Sequence, residues 1–275
     1  MDRATIDACK AYVGHSRHVQ DPMSPVPARR LATILGLSEM PGDGDPLPPT
    51  WHWAYLTEGV RPEDTGHDGH ERLGLFLPPA PFSRRMWAAG DVTVHSPITL
   101  GVPARRGSVI ESVDFKTGRT GDLCFVEVRH EITQQGALRV TEIQTIVYRD
   151  RGLPETALRG PDDPVPEGFR VYPDTQLFFY SAVTHNGHRI HWDRDFCRHV
   201  EGYPDLVVHG PLMATNLCDA LRAGTGPCRF SFRAKAPVFA TTPVRLDLGP
   251  GGDTREGRVE RSDGVVSMEA RYAAG

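Results

Sequence analysis

The stretch from Phe178 to Asn216, FFYSAVTHNGHRIHWDRDFCRHVEGYPDLVVHGPLMATN, decides how the rest of the chain is read. It carries His185, His188, His191, His199 and His209, five of the twelve histidines, together with Asn186 and Asp193. Near its end the Gly210-Pro211 step opens a segment in which Leu212, Leu217 and Leu221 form one helical stripe, with Pro211 suited to the first turn. The N–H groups at such a start have no partner within the helix and carry the positive end of its dipole. A polarised carbonyl oxygen is stabilised there, and glycine lets a ligand come close to the backbone. An ordinary glycine-bounded helix start inside a core is the competing reading. Histidines crowded beside this start suit proton transfer coupled to charge stabilisation.

Upstream, Asp174 is placed to cap a helix over TQLFFYSAVT, with Leu177, Phe178, Ser181 and Thr184 on one side. Asn186-Gly187 ends that helix, so His188 to Asp193 fall on a turn where side chains can converge. Downstream, RFSFRAKAPVF, VRLDLG, TREGRVERS and VVSMEARYA alternate with the period of antiparallel strands.

The first half has the same order. ATIDACKAYVG suits a short helix, HSRHVQDP is extended, and PVPARRLATILGL spaces Leu31, Ile34 and Leu35 as a helix that Gly36 stops. From Ser38 to Arg84 prolines and glycines are too dense for regular elements, yet Trp51, Trp53 and Tyr55 would be costly to leave in a solvated coil. A lid resting on the core is the expected role. Then DVTVHSPI, SVIESVDF, DLCFVEVRHEIT and LRVTEIQTIVYR alternate, with Val126, Val128, His130 and Ile132 on one face. A proline-rich charged run, RGLPETALRGPDDPVPEG, separates the halves. These readings give a duplicated α+β chain, with a first repeat over 1–150, a linker over 151–168 and a second repeat over 169–275.

A formal charge of −4, with no basic run longer than two arginines, gives no electrostatic reason to bind nucleic acid. No segment approaches the roughly 20 apolar residues that span a bilayer, and MDRATIDACK lacks a signal peptide's apolar core, so the expected location is cytoplasmic. Cys9, Cys124, Cys197, Cys218 and Cys228 are scattered and odd in number, without a C-x-x-C pair, which argues against a disulfide framework and a cysteine zinc site. His185, His188 and His191 are spaced three apart across a helix-breaking Asn-Gly, unlike metal-binding histidines one turn apart, so no metal is expected. Neither Cys197 nor Cys218 sits in a recognisable nucleophile motif.

The segments SAVTHNGHRIHWD and GYPDLVVHGPLMA resemble the MaoC-like hydratases and dehydratases, and among them the hydroxyacyl-thioester dehydratase type 2 branch. SFRAKAPVFATTPVRL resembles the family's continuation, and WHWAYL and FLPPAPFSRRMWAAG resemble its degenerate N-terminal repeat. The resemblance implies a double hotdog, two antiparallel sheets each wrapped around a central helix, with the catalytic residues in the second repeat. It also implies an acyl-CoA thioester substrate whose α,β double bond gains or loses water, with no cofactor beyond the substrate's own coenzyme A. The broader family has a catalytic aspartate where this chain has Asn186, which cannot act as a base near neutral pH. The type 2 branch tolerates Asn there, so proton transfer is expected to fall on His191, with Asn186 orienting the water and the Gly210 N–H polarising the thioester carbonyl.

Arg84, Arg85 and Arg189 are candidates for coenzyme A phosphates or for a carboxylate on the acyl group. His188 and His209 are expected in supporting or substrate-binding roles, with His209 orienting the loop before Gly210. Type 2 relatives include hydratases for branched C5 dicarboxylic esters, so mesaconyl-CoA or itaconyl-CoA is the leading substrate class. The alternatives are a fatty-acid type 3-hydroxyacyl-thioester dehydratase, a hotdog thioesterase, and a non-enzymatic acyl-CoA binding protein. Two repeats can satisfy the basic hotdog pairing internally, and a homodimer remains open.

Overall fold

Period-two alternation builds the strands of this chain, and the computed structural model describes residues 1–118, 121–150, 152, 157, 160 and 163–275. Asp2 caps α1 (Arg3–Lys10) by accepting the Thr5 N–H. β1 (Ser16–Asp21) leads into α2 (Pro25–Ile34), capped by Ser24 with proline in its first turn. β2 (Arg84–Val94), β3 (Ala104–Gly118), β4 (Gly121–Gln134) and β5 (Ala137–Arg149) complete the first half. The second half contains α3 (Asp174–Val183), α4 (Gly210–Leu221), β6 (Cys228–Ala234), β7 (Val244–Leu248), β8 (Thr254–Arg261) and β9 (Val266–Ala274).

Among the described residues the strands form one nine-stranded sheet in the order β1-β3-β4-β5-β2-β6-β9-β8-β7, every neighbour antiparallel. The halves join where β2 pairs with β6, Val92 opposite Phe230. From that seam β6, β9, β8 and β7 repeat the order β2, β5, β4 and β3. An Arg170–Val244 bridge stands where β1 pairs with β3. Leu212, Leu217 and Leu221 of α4 are buried against β6 to β9, as the leucine stripe requires. The arrangement is a double hotdog.

The two halves differ at their centres. Bridges Pro46–Thr99 and Val207–Phe239 hold equivalent places, yet beyond the second lies all of α4 and beyond the first a single 3-10 turn, Trp51–Ala54. Pro48 and Pro49 precede that turn, and Leu56 then takes a left-handed φ of 55°, so the turn does not continue into a helix. Trp51, Tyr55 and Leu56 are buried, and Trp51 Nε1 donates to Asp219 of α4 at 3.1 Å, tying the stub to the full helix. The chain that follows covers the sheet instead, with Phe76 and Ala80 packed on Val126, Ile146 and Tyr148. The lid expected from the aromatic residues is thus part of the core.

His130 points inward with Val126, Val128 and Ile132, as the alternation requires. Its Nε2 donates to Gln144 Oε1 at 3.1 Å, and its Nδ1 is 2.8 Å from Ser108 Oγ. Two local readings need correction. Pro173 is the N-cap of α3 and Asp174 its first residue, and the Asp174 carboxylate pairs with Arg194 at 2.7 Å instead of capping the helix. Leu177 and Ser181 face inward as expected, but Phe178 lies beyond the buried arc and is 56% exposed. The expected linker over 151–168 falls largely outside the described residues. Among the described residues no helix is long and apolar enough to cross a membrane.

Candidate active site

The turn that carries His188 and His191 is set by the way α3 ends. His185 takes a left-handed φ of 51°, and the Asn186 N–H reaches back to Ser181 O at 2.8 Å while the His185 N–H reaches Ala182 O at 3.4 Å. This pair of bonds satisfies the last carbonyls and throws the chain off the helix axis at Asn186. Asn186 Oδ1 then accepts the His188 N–H at 3.0 Å, and a short 3-10 turn, Arg189–His191, follows. That bond fixes the Asn186 side chain with its oxygen toward the turn, leaving the amide donors for another partner.

His191 is buried, and its Nδ1 lies 2.7 Å from the Val207 carbonyl, which can only accept. The proton therefore sits on Nδ1, and Nε2 carries the lone pair. Burial, opposed by the Val207 hydrogen bond, lowers the His191 pKa to about 4. At neutral pH His191 is a free base. On one side its ring stacks on His209 at 3.7 Å between centroids. His209 is fully buried, and its Nε2 shares a hydrogen bond with Ser181 Oγ at 2.8 Å. On the other side His188 stands edge-on at 5.4 Å, interplanar angle 87°. Burial, followed by the charge of neighbouring histidines, holds both His188 and His209 well below the ordinary histidine range.

His209 is also the N-cap of α4, so the open N–H groups at Gly210 begin next to the residue on which His191 stacks. A β-carbon at Gly210 would sit 3.7 Å from the Trp87 carbonyl, where a bulge interrupts β2 between Trp87 and Ala89. The site therefore lies at the seam of the two halves. Gly210, Asn186 and His191 come from three short segments of the second half, and the first half closes over them.

That closure brings residues that no sequence period marked. The Arg189 N–H donates to Asp68 O at 2.8 Å, and Arg189 Nη1 to His67 O at 3.2 Å. Gly69 and Gly187 meet so closely that a β-carbon on either would overlap the other's carbonyl oxygen. His70 thereby lies 4.2 Å from His188, ring to ring. The one legible signal was histidine density in TGHDGHE, inside the proline- and glycine-rich stretch. Gly69→Ala is expected to push this loop off the turn. Its φ of +88° adds strain to the overlap, so a loss of about 1–3 kcal/mol in urea unfolding should accompany a fall in turnover.

Asp68, His70 and His188 offer three ligand atoms within 4.8 Å of one another. Arg85 fills the cation's place: its Nε lies 3.2 Å from Asp68 Oδ2 and 3.0 Å from His70 Nδ1. The other two arginines are likewise held by the chain. Arg84 pairs with Glu201 at 2.9 Å and lies over the Tyr203 ring, while Arg189 grips Asp193 through two nitrogens and covers Phe196. Among the thiols near the site, burial pushes Cys197 up to about 12 and Cys218 well above its usual range. Neither is a nucleophile at neutral pH.

Taken with the family and relatives it matches, a chain that sets a neutral, buried imidazole base beside a helix start on a double hotdog is a hydro-lyase. Residues 50–240 match the profile of the family described as hydroxyacyl-thioester dehydratase type 2, and the chain belongs to that family. It is 40% identical over 272 residues to the mesaconyl-C(4)-CoA hydratase of Chloroflexus aurantiacus, covering 96% of this chain and 97% of the relative. The crystal structure of HtdX of Mycobacterium tuberculosis superposes with a TM-score of 0.69 at 17% identity, covering 94% of this chain and all of that one. Another Mycobacterium tuberculosis protein, described as having a double hotdog fold, superposes with a TM-score of 0.59 at 12% identity over 99% of each chain.

Proposed function

We propose that the protein adds water reversibly across the α,β double bond of a C5 dicarboxylic enoyl-CoA of the mesaconyl or itaconyl kind. The observation that carries the chemistry is the His191 tautomer, fixed with its lone pair on Nε2 by the Val207 carbonyl. The substrate class is supported by the 40% identity to a mesaconyl-C(4)-CoA hydratase along almost the whole chain. Asn186 donates to the oxygen of the attacking water, which turns the water's protons away from the amide and toward His191 Nε2. As oxygen bonds to Cβ, His191 takes a proton and the enolate of the thioester forms, its oxygen held by the Gly210 N–H. Protonation at Cα completes the addition. His209, fully buried, orients His191 by stacking.

Of the three arginines, Arg85 lies beside the histidines and meets the distal carboxylate, with donors left beyond the Nε shared by Asp68 and His70. Arg84 and Arg189 hold the loops that frame the site. Family membership favours one second reading, a 3-hydroxyacyl-thioester dehydratase of fatty-acid type. Mass spectrometry of mesaconyl-, itaconyl-, crotonyl- and long-chain enoyl-CoA incubated with the protein separates the two. A gain of one water on the dicarboxylic esters is expected. Reaction with the long-chain ester alone selects the second reading, and release of free coenzyme A sinks both.

A further inference from the structure

We propose that His188 is the second proton carrier of the site, passing one proton between His191 and Cα, and that His70 and Asp68 of the first half position it. The inference rests on the hydro-lyase reading and answers a need it leaves open. Water addition requires one proton to leave the water and one to arrive at Cα. Asn186 and Gly210 can carry neither.

The geometry leaves His188 as the partner of His191. His209 is fully buried with Nε2 engaged by Ser181, so it cannot reach a substrate. His188 stands edge-on to His191 at 5.4 Å, and among the described residues neither of its ring nitrogens has a hydrogen-bond partner. Its far side rests on His70 at 4.2 Å; Asp68 accepts the His70 backbone N–H at 3.1 Å, and Arg85 Nε donates to His70 Nδ1 at 3.0 Å. The whole support comes from the loop that replaces the central helix of the first half, docked by the contact of Gly69 with Gly187. A loop needed only to cover the sheet has no reason to end in a charged and titratable cluster against a catalytic turn.

The charges around His188 fit a one-proton shuttle. His191, His209, His67, His70 and Arg85 face it, all neutral or cationic, and Asp68 is the one anion of the cluster, already paired to Arg85. Two imidazoles this close cannot both be charged, so one proton serves the pair. In hydration the hydroxide part of water bonds to Cβ while its proton goes to His191 Nε2. That proton passes to His188, which delivers it to Cα as the enolate electrons form the C–H bond. Both rings end neutral. In dehydration His188 removes the Cα proton to give the enolate and passes it to His191 Nε2, and His191 delivers it to the departing hydroxyl as the enolate electrons form the double bond and water leaves.

The test uses the full chain with the thioester it hydrates best, in both directions. His188→Gln and His188→Asn are each expected to lose at least about 100-fold in kcat with KM within about threefold and an unchanged melting curve. His70→Gln, whose amide oxygen can still accept from Arg85, should lose about tenfold in kcat with KM within about threefold. The decisive readout is deuterium entry at Cα when the 3-hydroxyacyl-CoA is held in D2O. His191→Gln cannot protonate the leaving hydroxyl but should still exchange Cα, whereas His188→Gln should not. Exchange in His188→Gln, near-normal turnover in that variant, or loss of exchange in both variants would overturn the assignment. A wild-type chain silent on every thioester overturns the hydro-lyase reading on which it rests.

Discussion

His191→Gln should lower kcat about 10³-fold in both directions while the melting temperature moves by only a few degrees. The glutamine amide can still donate to the Val207 carbonyl, so the turn keeps its anchor. It has no group that takes a proton at neutral pH, so the loss falls in the middle of the range for general acid–base catalysis. Because His191 titrates at about 4, the wild-type rate should show no loss from its protonation between pH 8 and 6. Steady-state rates across that range, followed by absorbance of the conjugated thioester, decide the matter. Turnover of the variant within tenfold of wild type would remove His191 from the mechanism.

What the sequence disclosed follows the range of the interactions involved. Helices α2 and α4 and all the strands were legible, because a buried stripe or face repeats at a fixed period within one segment. The Gly210 start was legible for the same reason, Pro211 and the leucine stripe being local. The end of α3 was legible only as a break at Asn186-Gly187. Its left-handed residue is His185, which no composition rule marks, and the exposure of Phe178 depends on which arc of α3 meets the core. Asp68 and His70 could not be placed, since their role arises from two glycines in contact across 118 positions of chain, Gly69 and Gly187. The same holds for Val207, whose side chain says nothing about the carbonyl that fixes the His191 tautomer.

Acid should unfold the protein well above the range in which carboxylates titrate. Burial lowers His130 and His191 to about 4 and holds His188 and His209 well below the ordinary value of about 6.5. In the unfolded chain all four take up protons as pH falls through that ordinary value, while the folded protein refuses them. The unfolded state therefore binds more protons between about 6.5 and 4, and stability must fall as pH falls through this window. Above it both states are neutral at these sites and nothing is lost. Each group contributes about 1.4 kcal/mol per pH unit, so four together reach about 5 kcal/mol per unit. A fold stabilised by about 5–15 kcal/mol cannot withstand that slope for more than one to three units. Urea unfolding at half-unit steps from pH 7.5 to 4.5 should show the decline, and His130→Gln should reduce its slope by about a quarter while leaving turnover at neutral pH intact. Stability that stays flat down to pH 5 would contradict the burial of these rings. The desolvation that keeps His191 a free base at neutral pH therefore also sets the acid limit of the fold, and turnover should fail on the acid side through unfolding before protonation of His191 ends it.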